Sequence, residues 1–248
     1  MIMSDNGWEN SAQTWIDDMD RGAVARTHLL DPIMLGLCET RPGLRALDVG
    51  CGEGRFCRML RERGVEIVGI DPTKSLLKVA QQRDPQGDYQ FAHAEELPFE
   101  DKSFDLVTSY LTLIDIEDFR GAISEMVRVL RPGGTLVVAN LTSMTTATPQ
   151  GNPDGWWRDE NGEKQFWMLN DYTIERGQWV EWRGIRIINW HRPLSAYMQA
   201  FLSHDLILEY YDEPIPSPEQ LALAPELRDH KHKPDFVVMR WGKRADGI

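Results

Sequence analysis

The chain of 248 residues has little cysteine, no long apolar run and a deficit of positive charge. Its three cysteines, Cys38, Cys51 and Cys57, show neither zinc-ligand spacing nor the pairing of a disulfide framework. Buried, reduced thiols are therefore expected. No apolar stretch approaches the roughly 20 residues that a membrane-spanning helix requires. Met1 to Asn10 lacks a basic segment followed by an apolar core, so no export signal is expected. Lysine and arginine number 27 against 39 aspartates and glutamates, a net charge of −12. The basic run Arg58 to Arg63 fits the solvent face of a helix. That balance argues against a nucleic acid held through its phosphates. The six histidines are scattered, with no H-E-x-x-H or comparable metal pattern. No internal repeat or low-complexity tract is present. These absences leave the expectation of a cytoplasmic protein with no metal site, acting on a small molecule and away from membranes. Its oligomeric state is not encoded in any pattern.

What is present is concentrated in Leu44 to Phe56, reading LRALDVGCGEGRF. Leu47 and Val49 alternate as in a buried strand, with Asp48 near its carboxyl end. Gly50, Gly52 and Gly54 then remove side chains from the turn before a helix, so backbone amides can approach a ligand closely. Asp71 follows 23 residues after Asp48, closing the apolar run Val65 to Ile70. An acid at a strand tip at that distance is placed to receive ribose hydroxyls. The glycine pattern is G-x-G-x-G, and Arg55 stands where a dinucleotide fold would carry its third glycine, which disfavours an NAD-dependent oxidoreductase. No G-x-x-x-x-G-K-[ST] run exists, which excludes a P-loop.

Strand and helix signals alternate over residues 44–140, which predicts a parallel sheet covered on both faces. Residues 5–40 read as helical, with breaks near Asp20 to Gly22 and near Pro32. Trp8, Trp15, Ile16 and Met19 share one apolar face there. Further helices are predicted from Arg55 to Arg63, closed by Gly64, and from Thr73 to Arg83, capped by Thr73. Phe119 to Leu130 is another, with Ile123, Met126, Val127 and Leu130 at helical spacing. Residues 141–192 break the rhythm. They open polar and Gly-rich around Thr148 to Pro153, then become dense in tryptophan, with two short strands over Gln178 to Asn189. A helix from Pro193 to Ser203 and strands at Leu206 to Tyr211 and Phe236 to Trp241 close the chain. Four parts follow: a helical lid (1–40), a cofactor-binding core (41–140), an aromatic cap (141–192) and a terminal helix and strand pair (193–248). The aromatic walls predict a partly apolar or planar substrate.

The run of strand, Asp48, alternating glycines and Asp71 resembles the S-adenosyl-L-methionine (SAM) site of class I methyltransferases. The likeness covers residues 44–140 most closely and includes a small-molecule subgroup with an inserted cap. It implies a Rossmann-like α/β fold with a seven-stranded sheet, mostly parallel with an antiparallel C-terminal strand. It implies in-line transfer of a methyl group to a small molecule, or a non-catalytic SAM-binding or nucleoside-binding relative. Cofactor contacts are implied for Asp48, Gly50, Cys51, Gly52, Gly54, Asp71, Pro72, Thr73, Ser109, Tyr110 and Leu111. At the adenine edge, His93 departs from an aspartate common among relatives; either His93 offers an acceptor nitrogen, or Ala94 and Glu95 read the base. Arg131 to Gly134 is a packing turn. Asn189 to Met198 resembles the subgroup's helix start beneath the cap. Tyr110 and His191 are the candidate catalytic groups, either of which could take a proton.

Overall fold

The computed structural model describes residues 6–148, 155–231 and 233–245. Residues 149–154, within the polar opening expected of the cap, lie outside them. The N-terminal segment begins with α1 (Trp8–Asp20). A π-helical turn, Arg26–Leu30, then runs directly into α2 (Asp31–Leu37). The break expected near Pro32 does not occur. Pro32 sits in the first turn of α2, where its missing N–H leaves no gap in the ladder. The His28 carbonyl accepts instead from Gln220 Nε2.

The core then alternates β1 (Arg45–Val49), α3 (Arg55–Arg61), β2 (Glu66–Asp71), α4 (Lys74–Arg83) and β3 (Asp88–Phe91). It continues through β4 (Phe104–Tyr110), α5 (Phe119–Val129) and β5 (Leu130–Leu141). The turn Arg131 to Gly134 is absorbed into β5, where the pairing with β4 shifts register between Phe104 and Leu106. After a short α6 (Ser143–Thr146), two hairpins follow: β6 (Trp156–Arg158) with β7 (Lys164–Trp167), and β8 (Arg176–Trp182) with β9 (Ile185–His191). The chain closes with α7 (Leu194–Leu202), β10 (Leu206–Asp212), α8 (Pro218–Leu223) and β11 (Phe236–Lys243).

Among the described residues, seven strands form one sheet in the order β10-β11-β5-β4-β1-β2-β3. β11 runs antiparallel to both of its neighbours, and the other pairs are parallel. This is the Rossmann-like arrangement expected from the sequence. Its order reverses at β1, with β2 on one side and β4 on the other, which opens a crevice at the strands' carboxyl ends. Period-2 alternation sends Leu47, Val49 and Val107 to a core shared with α5 and α7. It sends Ala46, Ile67 and Leu106 to a second core under α3 and α2. Burial on both faces removes apolar area from water across the whole sheet, the dominant favourable term in its stability. No helix among the described residues is long and apolar enough to cross a membrane.

Gly54 was expected to cradle the cofactor, and the structure assigns it another duty. It sits at the start of α3 with φ 77°, and a Cβ there would lie 2.7 Å from the Tyr89 ring. Its bareness lets α3 close onto β3. Gly54→Ala should therefore cost about 1–3 kcal/mol, from left-handed strain and a displaced tyrosine. Chemical denaturation measures this, and wild-type stability in the variant would contradict the packing role.

Candidate functional site

At the crevice lies a cavity of about 720 Å³, walled by the ends of β1, β2 and β4, by α1 and by β9. Its floor is the glycine turn. Gly50 has φ 78°, and a Cβ there would meet the Thr112 side chain at 2.2 Å. Gly52, at φ 55°, is different: the nearest atoms to a built Cβ are 4.0 Å away, on Leu76 and Trp15. Bare peptide thus faces open space at Gly52, beside Cys51.

Two buried aspartates flank that peptide. Asp71 accepts from Gly52 N at 2.9 Å through Oδ2 and from Thr73 N at 2.8 Å through Oδ1. Each oxygen retains lone-pair capacity toward the cavity. Burial pushes its carboxyl above the ordinary range, and the two backbone donors oppose that shift. Thr73 precedes α4 but its side chain caps nothing; Asp71 holds its amide instead. Asp48 accepts from Thr108 Oγ1 at 2.7 Å and from Cys57 Sγ at 3.4 Å. Burial pushes Asp48 up to about 6.

The opposite wall comes from the N-terminal segment. Trp8 and Trp15 pack edge to face with centroids 5.3 Å apart, and both line the cavity with Met19. The Arg26 guanidinium lies 5.0 Å from the Trp15 ring centroid and 4.9 Å from that of Tyr110. Among the described residues it has cation–π contacts but no hydrogen bond or ion pair. Asp31, 4 % exposed, ties this segment to the glycine turn: it pairs with Arg55 and accepts from Tyr110 Oη at 2.9 Å. Arg55 is thus the far half of a buried clamp, which explains a cation where a dinucleotide fold carries glycine.

The methyltransferase-domain family profile matches residues 47–138. The chain is 36% identical over 110 residues to a malonyl-[acyl-carrier protein] O-methyltransferase of Serratia marcescens, covering 44% of this chain and 43% of that protein. It is 39% identical over 104 residues to a demethylmenaquinone methyltransferase of Renibacterium salmoninarum, covering 42% and 44%. The matched stretch therefore spans less than half of these relatives. An S-adenosylmethionine dependent methyltransferase structure from Mesorhizobium loti superposes with a TM-score of 0.77 at 26% identity, covering 90% of this chain and 99% of that one. Residues 47–138 are a methyltransferase domain, set in a fold shared with S-adenosylmethionine dependent methyltransferase structures.

Most residues expected to contact a cofactor meet at the cavity of this methyltransferase domain. Asp48, Gly50, Cys51, Gly52, Asp71, Pro72 and Thr73 line one side, and His93, Ala94, Glu95, Tyr110 and Leu111 complete the wall. Leu111 holds a left-handed φ of 58°, its amide donating to the Ala139 carbonyl at 2.8 Å, which turns the chain sharply at the end of β4. Ser109 does not line the cavity. Period 2 turns it to the sheet's other face, where its hydroxyl is buried with no hydrogen-bond partner among the described residues.

Neither expected proton acceptor is suited to that role. His191 is fully buried and absent from the cavity wall; Nδ1 bonds Thr146 Oγ1 and Nε2 bonds the Tyr172 carbonyl, each at 2.8 Å. A carbonyl only accepts, so Nε2 carries the proton and Nδ1 receives the threonine hydroxyl. Burial lowers its basicity further. Tyr110 lines the cavity, but its hydroxyl is committed to Asp31, and burial raises its pKa beyond use as a base. Of the expected cap aromatics, Trp190 lines the cavity, whereas Trp157 and Phe166 stack on each other at the surface, 43 % and 53 % exposed.

Sequence reasoning missed Arg26, Asp31 and Asp115. Asp115 lies on the cavity wall in the 3₁₀ turn after β4, where Asn189 Nδ2 donates to Oδ1 at 2.5 Å and the Trp8 indole also donates. The buried Arg192 fastens the same turn, its guanidinium donating to the carbonyls of Leu113, Ile116 and Glu117 at 3.1, 2.5 and 2.8 Å. Burial pushes Asp115 up to about 8. A carboxyl raised in the folded state keeps its proton longer there, so stability falls as pH climbs from the unfolded value toward 8. Between pH 6.5 and 8 this decline is at most about 1.4 kcal/mol per pH unit for one group. Urea denaturation over that window should show it in the wild type and a flatter profile in Asp115→Asn; identical slopes would contradict the burial of this carboxyl.

Proposed function

We propose that the chain is an enzyme that binds S-adenosyl-L-methionine and transfers its methyl group to a small-molecule acceptor. One observation carries this reading: the open face of Gly52, the buried carboxylates of Asp48 and Asp71 and the Arg26 guanidinium all line one cavity, with Asp71 holding the Gly52 amide. These residues fit an adenosyl sulfonium with an amino-acid tail. Asp71 accepts the ribose hydroxyls, and the segment His93 to Glu95 borders the adenine. Asp48 and the Gly50 to Gly52 peptide receive the cationic amino end, while Arg26 supplies the charge that a carboxylate tail requires. The cofactor supplies an electrophilic methyl carbon bonded to a positive sulfur.

The chain's own part is to position and to exclude water. In-line displacement requires acceptor, carbon and sulfur to be collinear, and orientation alone can contribute several kcal/mol. Trp8 and Trp15 of the N-terminal segment and Ile188 and Trp190 of β9 enclose the acceptor side. Work in the cytoplasm is supported by three buried free thiols, Cys38, Cys51 and Cys57. The net charge of −12 supports a small molecule over a nucleic acid.

Titration calorimetry with S-adenosylhomocysteine tests the assignment. The wild type should bind it and ignore NAD; Asp71→Ala and Gly52→Val should each weaken binding by about tenfold or more, the first by losing a charge-assisted acceptor. Equal affinity in both folded variants, or affinity for NAD alone, would overturn it.

A further inference from the structure

Beyond the cofactor half of the cavity, the carboxylate that the sequence did not single out has the geometry of a working group. Asp115 reaches the cavity wall, yet its turn is immobilised from two sides. Arg192 holds three of the turn's carbonyls, and Asn189 and Trp8 aim the carboxylate itself. Two donors on a carboxylate orient it while leaving lone pairs for a further proton. The charged groups that act on it are Arg26, from the π-helical turn, and Asp71, from the end of β2. With Arg26 engaged by a carboxylate tail and the Arg192 guanidinium turned onto three carbonyls of the turn, the charged side chains that line the cavity beside Asp115 are the carboxylates of Glu117 and Asp118. A cation bound there favours the ionised form of Asp115 over its burial. Trp8, Trp15 and Trp190 add aromatic faces and edges to the same space. Carboxylates among indole rings select a cation and repel an anion.

We infer that Asp115 is the proton acceptor of the methyl transfer, and that the acceptor molecule is an amine bound as its ammonium cation. The inference rests on the methyl-transfer reading and adds to it both a substrate class and a base. The ammonium proton passes to Asp115. The freed nitrogen lone pair forms the new bond to the methyl carbon, and the carbon–sulfur bond breaks with its electron pair retained by sulfur. The products are a methylated amine still carrying a positive charge, neutral S-adenosylhomocysteine and a protonated Asp115, which later releases its proton to water. An alcohol would enter without the charge that this wall attracts, and a carboxylic acid would enter against it.

Two measurements test this together. The first titrates benzyltrimethylammonium, a cation with neither N–H nor lone pair, into protein saturated with S-adenosylhomocysteine. Wild type should bind it, and Asp115→Asn should bind it about tenfold more weakly. The second supplies methyl-labelled S-adenosylmethionine with arylalkyl amines and their matched alcohols and carboxylic acids. Label should enter the amines, and Asp115→Asn should lose about 100-fold or more in kcat/KM, the scale of a removed general base. Its affinity for S-adenosylhomocysteine should stay within about twofold of wild type, which shows that the variant folds and keeps the cofactor site. Full activity in Asp115→Asn, label preferring alcohols or acids, or no label in any amine would overturn the inference while leaving cofactor binding intact. Failure of the wild type to bind S-adenosylhomocysteine would instead remove the methyl-transfer reading on which it stands.

Discussion

The Asp71 carboxylate is the point from which the site is organised. One oxygen takes the amide of Gly52, in the turn after β1, and the other takes the amide of Thr73, in the turn after β2. Two turns that belong to different βα units are thereby locked to one another at the place where the sheet order reverses. A carboxylate held by two backbone donors cannot swing away, so its remaining lone pairs point into the cavity before any ligand arrives. Preorganisation of this kind spares the ordering that binding would otherwise require.

A second node, Asp31, performs the corresponding task between the N-terminal segment and the core. Its pairing with Arg55 joins α2 to α3, and its bond from Tyr110 joins both to β4. The wall that carries Trp15 and Arg26 is placed by this contact. Breaking one partner of a buried pair leaves an uncompensated charge and costs about 3–5 kcal/mol. The N-terminal segment is thus built into the cavity, where α1 also meets β9 through Ser11 and the Arg186 backbone.

The parts of the site that were legible in the sequence depend on local chain geometry. Alternating glycines after a strand, and an acid at the tip of the next one, need no knowledge of distant neighbours. The same holds for the sheet, whose strands repeat every second residue, and for the apolar face of Trp8, Trp15, Ile16 and Met19. The failures have equally physical causes. Ser109 was misassigned because motif position was followed over alternation, which places Thr108 and Tyr110 on one face and Ser109 on the other. His191 was assigned a base's role from its residue type alone, but tertiary partners occupy both of its nitrogens. Arg26, Asp31 and Asp115 stayed hidden because their roles arise from contacts between distant parts of the chain, such as Asp31 with Arg55 and Tyr110, 24 and 79 positions away, and Asp115 with Asn189, 74 positions away. The cap aromatics divide as packing and wall residues, Trp190 at the cavity and Trp157 with Phe166 on a hairpin surface, because the two settings share one composition.

The most direct test of this organisation is a crystal structure with S-adenosylhomocysteine bound. Ribose hydroxyls within hydrogen-bond distance of Asp71, with its bonds to Gly52 and Thr73 retained and the sulfur directed toward the space beside Asp115, are the expected result. A ribose seated elsewhere, or an Asp71 that releases either amide to receive the ligand, would contradict the claim that this carboxylate organises the site in advance.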